Sequence, residues 1–209
     1  SLYGCKDSLT VAVKVNKSPE PYFTFSPACQ KQLTFFQAKD SSATQFPPTT
    51  YSWNFGLPNA NSTFPNVPYY YDTAKIYLVA LTLTYNNGCK QKYLQPVLVN
   101  RKPYADFISS GNCSGQSLLA LNQSNFYNDS VASYTWSVNG NNISNDTNLT
   151  YIPNQSGNYA LQLIAISNKT CSDTIVKNVN VNPTPNAAFT TLPTIGAFNS
   201  PITFSNQTT

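Results

Sequence analysis

The sequence contains no histidine and no methionine in 209 residues, and its 12 basic and 8 acidic side chains bring charge to only 10% of the chain. Without histidine the commonest general base and metal ligand is missing. The carboxylates Asp7, Glu20, Asp40, Asp72, Asp106, Asp129, Asp146 and Asp173 stand isolated in sequence, and neither a Gly-rich phosphate loop nor a Cys-x-x-Cys pair occurs. The expectation is a segment with no catalytic residue, no bound metal and no cofactor.

Charge is scarce in a second sense. A net charge of +4, with basic residues never clustered beyond pairs such as Arg101-Lys102, is too weak and scattered for a nucleic-acid footprint. No run approaches the roughly 18 apolar residues of a membrane helix, so no membrane insertion is expected in this segment. Ser1 does not open a basic-then-apolar export signal. Helix signals are almost absent, and solubility must rest on Asn, Ser, Thr and Gln.

What the chain has is repetition. Pro21-Tyr22-Phe23-Thr24-Phe25 returns as Pro103-Tyr104-Ala105-Asp106-Phe107 and as Pro185-Asn186-Ala187-Ala188-Phe189, 82 residues apart each time. Cys29 matches Cys113, Tyr51-Ser52-Trp53 matches Tyr134-Thr135-Trp136, Tyr77 matches Tyr159, and Cys5, Cys89 and Cys171 fall at one place in three successive blocks. A period this long exceeds that of solenoid repeats and gives each block enough residues for its own small core. The expected organisation is residues 1–20 as the last strand of a preceding domain, 21–102 and 103–184 as complete domains, and 185–209 as the first strands of a following one. The segment is then a piece of a longer array.

Within each block, apolar residues alternate, as at Tyr77, Val79, Leu81 and Leu83 or Tyr159, Leu161 and Leu163, which is the period of half-buried strands. The pattern predicts an all-β chain of tandem sandwiches. In the first block, strands are predicted at 22–26, 32–38, 50–56, 61–64, 68–72, 76–85 and 92–100, with a hairpin at Asn86-Asn87-Gly88. The same order follows from Tyr104 to Val181. Blocks join through short proline-bearing linkers, Asn16-Lys17-Ser18-Pro19-Glu20-Pro21, Asn100-Arg101-Lys102-Pro103 and Asn182-Pro183-Thr184-Pro185, whose stiffness predicts an elongated rod. Trp53 and Trp136, mid-strand beside Tyr51 and Phe55 or Tyr134 and Val138, are expected in the cores. In Tyr69-Tyr70-Tyr71 alternation must turn one ring outward, making Tyr69 and Tyr70 candidates for sugar contact.

Tyr51-Ser52-Trp53-Asn54-Phe55-Gly56, Pro68-Tyr69-Tyr70-Tyr71, Ile76-Tyr77-Leu78-Val79-Ala80-Leu81 and Gly88-Cys89 together resemble the PKD domain, an immunoglobulin-like sandwich with a Trp-x-Phe-Gly-Asp-Gly strand. The chain departs from that signature at Leu57-Pro58, at the three tyrosines and at Val138-Asn139-Gly140. A cysteine before the second strand and a Gly-Cys after the sixth resemble the tandem PKD arrays of giant adhesins that gliding bacteria export by the type IX route. The resemblance implies an extracellular, cell-surface location and a spanning, load-carrying, non-catalytic role, with neighbouring repeats, surface glycans or other filament proteins as partners. The alternative is a carbohydrate- or protein-binding accessory module of a secreted hydrolase. The strings Asp7-Ser8-Leu9, Asp72-Thr73-Ala74, Asp129-Ser130-Val131 and Asp173-Thr174-Ile175 resemble the O-glycosylation motif of that group, which implies Ser8, Thr73, Ser130 and Thr174 as acceptors.

Repeat parity would pair Cys29 with Cys89 and Cys113 with Cys171. In an immunoglobulin-like order, however, the second and sixth strands run the same way, which puts Cys29 and Cys89 at opposite ends of one sandwich, too far apart for a disulfide. End-to-end stacking would instead bring Cys29 to Cys171 as an interdomain staple. Both schemes stand as expectations of the sequence.

Overall fold

The computed structural model describes residues 6–13, 19–41 and 47–209, and every regular element in it is a β-strand. Cys5 and Asn16-Lys17-Ser18 of the first linker lie outside the described residues. The chain separates into two compact units at the Arg101–Lys102 junction.

Among its described residues the first unit has seven strands: β1 (Pro21–Phe25), β2 (Leu33–Asp40), β3 (Pro48–Asn54), β4 (Asn61–Ser62), β5 (Asn66–Tyr70), β6 (Ile76–Tyr85) and β7 (Lys90–Leu98). They form two antiparallel sheets, ordered β1-β2-β5 and β4-β3-β6-β7. Period-2 alternation on β6 sends Tyr77, Val79, Leu81, Leu83 and Tyr85 inward, all but fully buried. The opposite sheet contributes Phe23 and Phe36. Aromatic rings dominate this core: Phe23 meets Trp53 edge-on at 5.3 Å, and Trp53 stacks on Phe55 at 5.8 Å. The Trp53 indole N–H donates to the Phe64 carbonyl at 2.8 Å, so the polar edge of the largest core residue is satisfied.

The second unit repeats the plan with β8 (Phe107–Ser110), β9 (Leu118–Asn122), β10 (Val131–Val138), β11 (Asn141–Ser144), β12 (Leu149–Tyr151), β13 (Gly157–Ser167) and β14 (Ser172–Val181). Its sheets are ordered β12-β9-β8 and β11-β10-β13-β14. Here the core is mainly aliphatic, with Leu118, Leu149, Leu161 and Leu163 around Trp136, whose indole donates to the Asp146 carbonyl at 3.0 Å. A final hairpin, β15 (Phe189–Leu192) with β16 (Thr203–Asn206), pairs Phe189 with Asn206 just as β8 and β9 pair Phe107 with Asn122. Phe107 is fully buried, whereas Phe189 is exposed.

The predicted strands and the observed ones agree in number and order, and β6 occupies the predicted 76–85. β3, β5 and β7 each begin and end two residues earlier than predicted, β5 at Asn66–Tyr70 in place of 68–72. Tyr71 leaves the ladder because its carbonyl accepts the Lys31 amide and its ring is fully buried. Gly56, with φ of +79°, turns the chain out of β3; a Cβ there would sit 3.0 Å from the Leu78 carbonyl oxygen, so a side chain at this position is strained and presses on the β6 backbone. In the second unit the corresponding turn is Asn139-Gly140, both at positive φ (49° and 82°), a two-residue hairpin closing β10 on β11.

Candidate functional site

Outside the named strands, each unit contains one short parallel pairing between its incoming segment and its outgoing strand. Cys29 bridges Asn100, and Cys113 bridges Asn182. In the first unit the Asn100 amide donates to the Ala28 carbonyl and the Gln30 amide to the Asn100 carbonyl, both at 2.8 Å. In the second unit the Asn182 amide donates to Asn112 at 2.6 Å and the Ser114 amide to Asn182 at 2.9 Å. Two parallel segments near opposite ends of one domain are loaded in shear when those ends are pulled, so their hydrogen bonds must break together. The sequence carries no fixed spacing that announces this clamp, since Cys29 stands 71 residues before Asn100 and Cys113 stands 69 before Asn182.

The cysteines divide by repeat. Cys29 and Cys171, both buried, are each disulfide-bonded, whereas Cys89 and Cys113 are free thiols. The within-unit bridges Cys29–Cys89 and Cys113–Cys171 are therefore not made. The physical reason is topological: in the first unit Cys29 lies beside Asn100 at the outgoing end of β7, while Cys89 closes the turn that precedes that strand.

Acceptor hydroxyls of the glycosylation strings, Ser8, Thr73, Ser130 and Thr174, all sit on exposed residues. Their aspartates do structural work as well. Asp129 accepts the Ser130 amide at 2.9 Å, and Asp173 accepts both Lys102 Nζ at 2.5 Å and the Ala105 amide at 2.9 Å. Of the tyrosine string, Tyr70 faces outward, 45% exposed. Tyr69 is corrected: alternation turns it inward, where it stacks on Phe55 at 4.1 Å, and burial pushes its hydroxyl pKa up. It is half-buried, with one ring face covered by Phe55.

Among the described residues, no three potential ligands gather into a metal-binding group. The perturbed groups have structural causes. Burial raises Tyr71, whose hydroxyl points at the Phe55 carbonyl. Burial and a hydrogen bond to Asp40 raise Tyr85. The ammonium of Lys177, 2.6 Å from Asp106, holds that carboxyl below its ordinary value, helped by the Phe107 amide. Lys177 also covers the Phe107 ring at 5.0 Å.

Outward faces of the two units differ where the inward faces correspond. On the sheet of β6 and β7, cross-strand pairs Ile76–Leu98 and Leu78–Pro96 are exposed, whereas the second unit has Asn158–Asn180 and Ala160–Asn178 in those rows. On the opposite sheet, β2 and β5 present Leu33, Phe35, Pro68 and Tyr70 outward. Sequence alternation through Phe35-Phe36 requires one ring out, which is the signal that could have found this face.

A sequence profile described as a PKD domain matches residues 16–97, and one described as a PKD-like domain matches residues 121–167. No curated protein matches the chain. Among solved structures, the PKD1 domain of Vibrio anguillarum Epp is 22% identical with a TM-score of 0.38, covering 41% of this chain and 99% of its own. The PKD1 domain of the Vibrio cholerae metalloprotease PrtV is 27% identical with a TM-score of 0.35, covering 39% of this chain and 98% of its own. Fibronectin(III)-like modules of Clostridium thermocellum CbhA are 14% identical over 78% of this chain and 95% of theirs, with a TM-score of 0.43.

Proposed function

The chain carries PKD domains, modules that are non-catalytic and, together with a disulfide, typical of extracellular proteins, and from that premise we propose that it is a spanning, tension-carrying segment of a long cell-surface adhesin or filament. The observation that carries this reading is the parallel clamp. Two domains with different cores, one aromatic and one aliphatic, keep the same hydrogen-bonded pairing between incoming segment and outgoing strand. A domain that merely displays a binding loop has no need of it.

In this reading, residues 1–20 belong to the last strand of a preceding domain and residues 185–209 open a following one. The matched register of β15–β16 and β8–β9 supports the second assignment, and the alternating, exposed Leu9, Val11 and Val13 support the first. The array is the type IX-exported, gliding-motility kind, O-glycosylated at Ser8, Thr73, Ser130 and Thr174. Cys29 and Cys171 are bonded to each other as a staple between domains. Support for the staple comes from within each unit: Cys29 pairs beside Asn100, the chain runs on to Lys102, and Lys102 binds Asp173, two residues from Cys171.

The test is to pull the reduced chain by its ends, one molecule at a time. Two discrete unfolding events are expected. Gln30→Pro should weaken one and Ser114→Pro the other, since each removes an amide donor of one clamp. Unfolding forces indifferent to both substitutions would refute the assignment.

A further inference from the structure

The outward face of the β1-β2-β5 sheet is built in rows that run across the strands. Leu33 lies opposite Tyr70, Phe35 opposite Pro68, and Thr24, Gln37 and Asn66 share the next row. Successive outward rows are about 7 Å apart, two residues of strand rise. The Phe35 ring is 58% exposed, and a groove of about 390 Å³ lies beside it, lined by Thr24, Gln37, Asn66 and Pro68. No hydrogen bond among the described residues engages the side chains of Thr24, Gln37 or Asn66. Charge is nearly absent: Lys39, one row further on, is the only ionic side chain across the outward rows.

Register alignment supplies an internal comparison. The Lys31 amide donates to Tyr71 as the Gly115 amide donates to Pro153, so Phe35 corresponds to Leu119, Gln37 to Leu121 and Tyr70 to Ile152. Thr24, paired with Gln37, corresponds to Ile108, paired with Leu121. The same sheet therefore folds with aliphatic side chains at these four positions, and neither the two rings nor the Gln37 carboxamide is needed for the fold; Asn66 keeps its carboxamide in the second unit, as Asn148.

We propose that this face of the first unit binds an uncharged polysaccharide chain, one sugar ring lying on Phe35 and another on Tyr70, with Gln37, Asn66 and Thr24 hydrogen-bonding its hydroxyls. Pyranose C–H groups pack on aromatic faces, and carboxamides supply a donor and an acceptor together, which matches a polyhydroxyl ligand better than a peptide or an anion. Tyr69 takes no part, being stacked inside. The reading is independent of whether the array carries tension.

Affinity electrophoresis of the full chain tests it, in native gels containing hydroxyethyl cellulose, soluble starch or galactomannan, with alginate as the anionic comparison. Retardation is expected in at least one neutral gel. Phe35→Ala should weaken it about tenfold, the loss of one ring contact. Gln37→Ala should weaken it as well, while Leu119→Ala at the corresponding place in the second unit leaves it unchanged. All of these positions lie on the outer face, and an unchanged melting temperature checks that each variant folds. No retardation in any neutral gel, retardation in alginate alone, or retardation that survives Phe35→Ala would overturn the proposal.

Discussion

Asp173 holds Lys102 with one carboxylate oxygen, at 2.5 Å, and the Ala105 amide with the other, at 2.9 Å. This carboxylate fastens the first residues of the second unit to the start of β14. Because both oxygens are used and Asp173 is mostly shielded from water, the pair is worth more than an open surface ion pair. Asp173→Ala should destabilise the second unit by about 1–2 kcal/mol. Thermal unfolding followed by far-ultraviolet dichroism measures this, and a shift confined to the first unit would contradict it.

Thr170 and Gly88 occupy the same turn in the two repeats, with φ of 66° and 84°. The closing bonds match: Thr170 N–H to Ser167 and Ser167 N–H to Cys171, against Gly88 N–H to Tyr85 and Tyr85 N–H to Cys89. A β-branched residue pays a steric cost in the left-handed region that glycine avoids. Thr170→Gly is expected to stabilise the second unit by about 1 kcal/mol, and Gly88→Thr to destabilise the first by a similar amount. Denaturant melts of both variants check the pair of opposite signs.

Thr34 is fully buried on β2, and its hydroxyl is without a hydrogen-bond partner among the described residues. The second unit has Leu118 in its place, also fully buried. Since an unsatisfied buried hydroxyl carries its desolvation cost uncompensated, Thr34→Val should raise stability by about 1 kcal/mol. A lower urea midpoint for the variant would show that the hydroxyl is satisfied in solution.

Tyr71 and Tyr85 have folded pKa values raised above the ordinary tyrosine range. A raised folded pKa means that their contribution to stability is complete below the unfolded value, about 10, and is lost as pH climbs from there toward the folded one. Phenolate absorbance should therefore show two tyrosines that ionise only as the first unit unfolds, one of them lost in Tyr85→Phe. Ionisation of all fourteen tyrosines in the ordinary range with the fold intact would contradict this.

Strand order was readable because alternation along β6 and β13 is strict and because turns are marked by Asn and Gly. Trp53 and Trp136 could be placed in the cores for the same reason. The clamp was not readable: Ala28, Gln30 and Ser114 contribute backbone groups, and their side chains carry no pattern that announces a parallel pairing. Tyr69 and Tyr70 were read together, since alternation says that neighbours face opposite ways but not which faces out. Only the stacking of Tyr69 on Phe55 decides it. Phe35 could not be told from Phe36 by sequence, because alternation sends one ring of the pair in and the other out without saying which.

The most direct measurement is extension of the single chain under force, before and after adding reductant. A bond between Cys29 and Cys171 keeps residues 30–170 off the force path, so that β1, β14 and the β15–β16 hairpin are the strands that can be peeled before reduction. Reduction should then release about 500 Å of additional extension. Equal extension with and without reductant would contradict the staple, and a smooth low-force release after reduction would contradict the role of the chain in carrying tension.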